Sequence, residues 1–232
     1  MQKKLYLCSQ NKNMRFVFAS NNAHKLQEVR EIMPEGIEVL SLHDIGFEAD
    51  IAETGTTLEE NSRIKAATVA AFIGERLKVK GERIDGVFAD DTGLEIDALD
   101  GKPGVYTARW YYMNDVMSAA APLNDEMMIF AANRKKALTE LAGKTDRGAQ
   151  FRTVITLIKP STVSSQPSVI QVSGIVRGRI ATEEYGEGGF GYDPIFIPEG
   201  YDKTFGELPA EIKNGISHRA RALKELVKEL KG

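Results

Sequence analysis

Apolar positions along the chain fall into two rhythms, short continuous runs of strand length and longer stretches repeating every three to four residues. Arg15-Phe16-Val17-Phe18-Ala19 reads as the first strand. After the polar stretch Ser20 to Lys25, Leu26, Val29 and Met33 follow at helical spacing until Pro34-Glu35-Gly36 stops the helix. Ile37 to Leu40 reads as a second strand, and Thr57-Leu58-Glu59-Glu60 as a capping box: Thr57 accepts from the third helical N–H while Glu60 reaches back. That helix is predicted to run to about Val79 and end at Lys80-Gly81. Gly86-Val87-Phe88-Ala89 reads as a buried strand ending in Asp90-Asp91, with Thr92-Gly93 as a turn signal before Leu94-Glu95-Ile96.

Farther on, a helix is predicted from Asp115 to Leu141, interrupted near Ala121-Pro122-Leu123-Asn124. Residues 151–158 and 169–176 alternate as an antiparallel pair across the Pro160-to-Pro167 loop. Ser217 is placed to cap a last helix whose Leu223, Leu226, Val227 and Leu230 form one apolar stripe. Strands interleaved with helices, some of them antiparallel, predict an α/β fold with a mixed sheet.

Length and charge narrow the classes. The 232 residues are 42% hydrophobic and 27% charged, so they suit one folded domain, taken as 14–232, preceded by a dispensable extension over 1–13. Net charge is −3, which provides no general basic surface for a nucleic-acid polymer; a phosphate ligand must be met by a local cluster of cations and N–H groups. One cysteine, Cys8, forbids an internal disulfide and fits a reducing, cytoplasmic setting. The short apolar stretch near Met1 is too brief for an export signal, and no run approaches a membrane helix.

Adjacent like charges are costly unless neutralised, and carboxylate oxygens are the ligands Mg²⁺ and Mn²⁺ prefer, so Asp90-Asp91 is the leading candidate for chemistry, with an exposed turn as the plain alternative. Three other segments concentrate polar residues at element ends. Ser20 to Lys25 could present donors to phosphate at a helix N-terminus, or simply cap that helix. Glu53 could join a metal site beside Asn61 and Lys65, which share one helix face, or all three could be solvated surface. Gly186 to Pro194 places Phe190 and Tyr192 among glycines, and His218 and Arg219 open the last helix, where cations oppose the helix dipole unless an anion is near.

Ser20-Asn21-Asn22-Ala23-His24-Lys25, Glu53-Thr54-Gly55, Phe88 to Leu94, Pro103 to Arg109, Gly188 to Pro194 and Ile216-Ser217-His218-Arg219, in that order, resemble the inosine/xanthosine triphosphate pyrophosphatase family from about Met14 onward. The resemblance implies an elongated mixed sheet flanked by helices, two lobes with a central cleft, and a homodimer. It further implies metal-dependent cleavage of ITP, dITP and XTP to the monophosphate and pyrophosphate, with Mg²⁺ or Mn²⁺ as cofactor. Asp91 matches the proton acceptor and metal ligand, Asp90 and Glu53 belong to the same acidic cluster, and Thr92 matches a substrate contact that is commonly Ser. Ser20, Asn21, Asn22, Ala23, His24 and Lys25 match the triphosphate cradle; Phe190, Gly191, Tyr192, Asp193, Lys213, His218 and Arg219 match nucleotide contacts, and Lys65 is a further phosphate candidate. Two stretches depart from the pattern: residues 1–13 fall outside it, and Tyr111 to Met128 is longer than the usual link. Competing readings are a Maf-type pyrophosphatase acting on pyrimidine triphosphates and a nucleotide-binding regulator without turnover. A haloacid-dehalogenase phosphatase would need an Asp-x-Asp motif that Asp90-Asp91-Thr92 does not supply.

Overall fold

The structure is a computed structural model and describes residues 13–80, 83–113, 125–160 and 166–231. Seven strands form one mixed sheet: β1 (Met14–Phe18), β2 (Ile37–Leu40), β3 (Gly86–Ile96), β4 (Lys102–Gly104), β5 (Gly148–Lys159), β6 (Ser168–Ile180) and β7 (Phe196–Pro198). Their order is β2-β1-β3-β5-β6-β7, with β4 beside β3. The helices are α1 (Ala23–Ile32), α2 (Leu58–Lys80), α3 (Glu126–Glu140), α4 (Ala210–Ile216) and α5 (His218–Lys231).

The continuous apolar runs arise because the sheet is covered on both faces. From β1 and β3, Val17, Ala19, Val87 and Ala89 pack with Ala66, Val69 and Ile73 of α2. Their neighbours Phe16, Phe18 and Phe88 point the other way, onto Val29 of α1 and Leu223 and Leu226 of α5. A second core gathers Leu94, Ile96, Phe151, Val176 and Phe196 from the far halves of the strands with Ala137 and Leu141 around α3. β3, β5 and β6 run through both regions and join them into one body.

β3 changes neighbours along its length. Its first residues, Gly86 to Phe88, pair in parallel with β1, and its last, Leu94 to Ile96, pair antiparallel with β4. Along the other edge β5 pairs continuously from Val87 to Ile96. The stretch 89–93 therefore lies between two partners on one side, in the kind of opening where ligands meet open α/β sheets.

Several expectations are corrected here. Thr92-Gly93 is not a turn: both residues are paired with β5, and the Thr92 and Thr153 hydroxyls meet at 2.8 Å. Glycine is required at 93 because a Cβ there would stand 2.9 Å from the Gly104 carbonyl oxygen of β4, a close approach that imitates turn composition. Asp90 and Asp91 accordingly sit mid-strand rather than at a strand end. The capping box is shifted: the Glu60 N–H donates to Thr57 at 3.1 Å, but the Glu60 carboxylate accepts from the Thr56 N–H at 2.6 Å and not from Thr57. α3 starts at Glu126, capped by Asp125, while the expected start at Asp115 and the interruption at 121–124 lie outside the described residues, as do residues 1–12 of the expected extension over 1–13. Ser217 caps α5 as expected, accepting from the Ala220 N–H at 3.2 Å.

Candidate active site

Side chains alternate across a strand, so adjacent aspartates on β3 face opposite sides of the sheet. Asp90 turns toward α1 and α5, where Lys25 lies 3.0 Å from its Oδ1 and Arg219 Nε 3.0 Å from its Oδ2. Asp91 turns toward α2, where Lys65 Nζ lies 3.2 Å from Asp91 Oδ1 and 2.8 Å from Glu53 Oε1. The three carboxylates named from the sequence are thus divided: Glu53 and Asp91 meet across Lys65, and Asp90 stands apart with its own cations.

The two environments drive the aspartates in opposite directions. Burial would raise Asp90, but the Lys25 ammonium and the Arg219 guanidinium outweigh it and hold the carboxyl well below its usual range. Burial raises Asp91, and Lys65 offsets this only in part. Asp91 Oδ2 is buried and has no hydrogen-bond partner among the described residues. A carboxylate with one unsatisfied buried oxygen and a raised proton affinity is equipped to take a proton or a cation.

From Asp90 an alternating line of charges crosses the cleft wall. Arg219, only 1% exposed, pairs with both Asp90 and Glu28; Lys213 pairs with Glu28 at 2.8 Å and with Asp193 at 2.7 Å. Glu28, one turn beyond Lys25 on α1, was not singled out from the sequence, although its spacing from Lys25 puts both on one helix face. Burial opposes charge on Lys213, but Asp193 and Glu28 carry its pKa above the usual value, whereas on Lys25 burial outweighs the pull of Asp90 and lowers it. His218 is driven well below the ordinary histidine range by burial and then by neighbouring Arg219, and its ring stacks on Phe151 at 4.7 Å.

Local backbone explains these placements. Gly174 on β6 has no room for a side chain, since a Cβ would come within 2.2 Å of the His218 carbonyl oxygen and 2.3 Å of the Ala222 nitrogen. That absence lets the first turn of α5 press onto the sheet and seats His218 and Arg219. In the glycine-rich loop, Gly189 adopts φ +74°, a left-handed conformation glycine accepts readily, and Asp193 Oδ2 accepts from the Phe190 N–H at 2.8 Å. Phe190 is thereby held as an aromatic face, with the His24 ring stacked at 5.6 Å, Phe130 tilted at 6.2 Å and Lys213 Nζ at 5.0 Å.

These groups border a cleft of about 410 Å³, within the usual range for small-ligand sites. Of the residues named from the sequence, Ser20, Asn21, Asn22, Lys25, Glu53, Lys65, Asp91, Thr92, Phe190, Gly191, Tyr192, Asp193, Lys213, His218 and Arg219 line it. Ala23 and His24 do not, nor does Asp90, which lies behind Lys25 and Arg219. Tyr192 contributes a buried core ring whose hydroxyl donates to the Thr107 carbonyl at 3.0 Å. Asn22 caps α1, accepting from the Lys25 N–H at 2.9 Å, and Ser20 Oγ accepts from the Asn22 N–H at 3.2 Å, so the plain reading of that loop as a helix cap holds, and the same residues line the cleft. Phe130 and Arg109 also line the cleft; Arg109 ends a motif that carried the resemblance but was given no role, and Phe130, at an ordinary apolar position of α3, carries no local signal.

A divalent cation fits this donor set. Among the described residues no group of three or more His, Cys, Asp or Glu comes together as a ready metal cage. Mg²⁺, however, is commonly held by one or two carboxylates, with water and phosphate oxygens completing its shell. Asp91, with its unpartnered oxygen, and Glu53 supply such a pair. The described cations of the wall are already matched to carboxylates, so a polyphosphate brings negative charge that they alone do not balance. No helix among the described residues is long and apolar enough to cross a membrane.

Residues 16–229 match the Ham1 family. The chain is 42% identical over 214 residues to the dITP/XTP pyrophosphatase of Flavobacterium johnsoniae, covering 92% of this chain and 96% of that one. It is 43% identical over 217 residues to the dITP/XTP pyrophosphatase of Bacillus subtilis, with 92% and 96% covered. Among solved structures it is similar to the Staphylococcus aureus Ham1 protein, with a TM-score of 0.72, 37% identity, and 94% of this chain and 98% of that chain covered. A HAM1 protein from Coxiella burnetii is similar with a TM-score of 0.73, 35% identity and the same coverage of 94% and 98%.

Proposed function

The chain belongs to the Ham1 family and is a nucleoside triphosphate pyrophosphatase, and from that premise we propose how its own residues carry out the reaction. Its substrates are non-standard purine nucleoside triphosphates, ITP, dITP and XTP, cleaved between the α- and β-phosphates to the monophosphate and pyrophosphate, which clears them from the nucleotide pool. In this reading Asp91 is the general base, accepting a proton from the attacking water at Oδ2. The observation that carries the assignment is the opposite treatment of the two aspartates: Asp90 is locked as a structural anion by Lys25 and Arg219, while Asp91 keeps a buried unpartnered oxygen and a raised pKa.

The remaining roles follow from position. Lys25 and the N-terminal turn of α1 face the phosphates, and Lys65 stands on the same side as Asp91. The base lies against Phe190, and the cationic edge formed by Lys213 and Arg219 favours a purine presenting an oxygen at C6 over one presenting an amino group. Asp91 and Glu53 would hold Mg²⁺, or Mn²⁺ in its place, and the ion would offset charge on the phosphates and promote ionisation of water. Asp90 is not assigned to the metal, since it is 1% exposed, does not line the cleft and turns to the opposite face of β3 from Asp91 and Glu53. A homodimer completes the reading; exposed Met113, Met127 and Met128 are apolar surface consistent with it.

The test is a panel of ITP, dITP, XTP, ATP, GTP and modified pyrimidine triphosphates, incubated with and without divalent metal, with pyrophosphate resolved from orthophosphate. Metal-dependent release of IMP and pyrophosphate from ITP is expected. Release of IDP and orthophosphate would refute the reading, and preference for the pyrimidines would favour the Maf-type alternative.

A further inference from the structure

We propose that Lys65 is the resident counter-ion of the metal carboxylates, an internal cation that a divalent metal must displace and that then turns to the phosphates. The inference rests on the pyrophosphatase reading above and concerns what couples metal to nucleotide in that same site. Lys65 is 7% exposed, and its ammonium bridges Glu53 Oε1 at 2.8 Å and Asp91 Oδ1 at 3.2 Å. These carboxylates are the donors assigned to the metal. Both carboxylates lie at ion-pair distance from Nζ on a side chain that is about nine-tenths buried, so the ammonium is held between the two acids and not in solvent.

An ammonium and a divalent ion cannot share the same two carboxylates without strong like-charge repulsion. With the cleft empty, the displaced ammonium loses both carboxylates that hold it, and Arg109, already beside Glu53 at 3.9 Å, leaves that acid no closer partner to offer. A triphosphate in the cleft changes this balance by offering Lys65 an anionic partner. Metal alone is therefore disfavoured and metal with nucleotide favoured, a coupling transmitted by one side chain. Asp91 Oδ2, buried and unpartnered, shows that Lys65 satisfies only part of the acidic pair, which is what a stand-in for a larger charge would do.

The experiment measures Mn²⁺ binding to the nucleotide-free protein by electron paramagnetic resonance, for the wild type and for Lys65→Met, both confirmed folded by circular dichroism. Lys65→Met is expected to bind Mn²⁺ at least about tenfold more tightly than the wild type. A non-hydrolysable α,β-methylene analogue of ITP should strengthen Mn²⁺ binding to the wild type much more than to the variant. Should Lys65→Met fail to fold, the wild type still reports: its Lys65 Nζ resonance should move when Mg²⁺ and the analogue are added together and not with Mg²⁺ at the same concentration alone. Equal Mn²⁺ affinities, no binding by either protein, or a static Lys65 resonance would overturn the inference. Failure of the pyrophosphatase reading would look different, because ITP would then yield no pyrophosphate whatever the Mn²⁺ comparison showed.

Discussion

Replacing each of the two neighbouring aspartates by asparagine should move stability in opposite directions. In Asp90→Asn the side chain keeps its shape but loses the charge that faces Lys25 and Arg219, both at 3.0 Å and in an almost fully buried site. Breaking a buried ion pair costs about 3–5 kcal/mol, and the lower end applies because Arg219 retains Glu28. For a chain of this size each kcal/mol shifts Tm by about 2–4 °C, so a fall of about 6–12 °C is expected. In Asp91→Asn an unpartnered carboxylate oxygen becomes an amide group, and Lys65 keeps Glu53. Removing the charge that burial penalises should raise Tm at neutral pH, while kcat falls roughly 10²–10⁴-fold if Asp91 is the base. The pH dependence carries the same signs. A depressed folded pKa makes Asp90 stabilising above its unfolded value of 3.8, and that contribution is lost only as pH falls toward the folded pKa. A raised folded pKa makes ionised Asp91 destabilising at neutral pH, and the penalty fades as pH falls through the folded value toward 3.8. Thermal unfolding of the three proteins, free of metal, at pH 7.5 and near pH 4 reads both effects. If both variants lose stability equally at pH 7.5, or if the gain of Asp91→Asn persists undiminished at pH 4, the division of roles between the two carboxylates is wrong.

Gly174→Ala would drive a methyl group into the backbone of α5, within 2.2 Å of the His218 carbonyl oxygen. Overpacking of this kind costs about 1–3 kcal/mol, so Tm should fall by several degrees and KM for ITP should rise as Arg219 shifts; an unchanged KM would show that α5 tolerates the displacement without moving the site. Phe190→Leu removes the ring that carries Lys213 at 5.0 Å and His24 at 5.6 Å. Base–aromatic contact contributes about 1–3 kcal/mol, so steady-state kinetics should give a KM for ITP raised roughly tenfold at nearly constant kcat, and a loss confined to kcat would remove Phe190 from base binding.

Most of the fold was legible because β1 and β3 are buried on both faces and read as unbroken apolar runs, while β6, exposed along one face, keeps an alternating pattern. The same property hid where β3 ends: Thr92 and Gly93 have turn composition, but one is paired to Thr153 and the other makes room for β4, facts that depend on residues distant in sequence. Asp91 and the Arg219 segment were singled out by charges placed where structure alone did not need them, and Lys65, readable by itself as solvated surface, entered through the resemblance; all three line the cleft. Glu28 was missed because a glutamate on an amphipathic helix is ordinary until Lys213 and Arg219, nearly the whole chain away, close upon it. The adjacency of Asp90 and Asp91 was read as one acidic site, whereas the alternation of a strand makes neighbours in sequence the residues most surely placed on opposite faces.

That alternation makes the enzyme sensitive to parity. An insertion or deletion of one residue within β3 ahead of Asp90, with pairing to β5 kept beyond it, would exchange the two faces for everything on one side of the change. An aspartate would then be offered to Lys25 and Arg219 from the wrong register, and Phe88 or Ala89 would face the opposite core. Two added residues restore the facing and one does not. A change of length is therefore absorbed more readily in the loops that join strands, where odd and even changes are equivalent, than within β3 ahead of Asp90, where parity has to be kept.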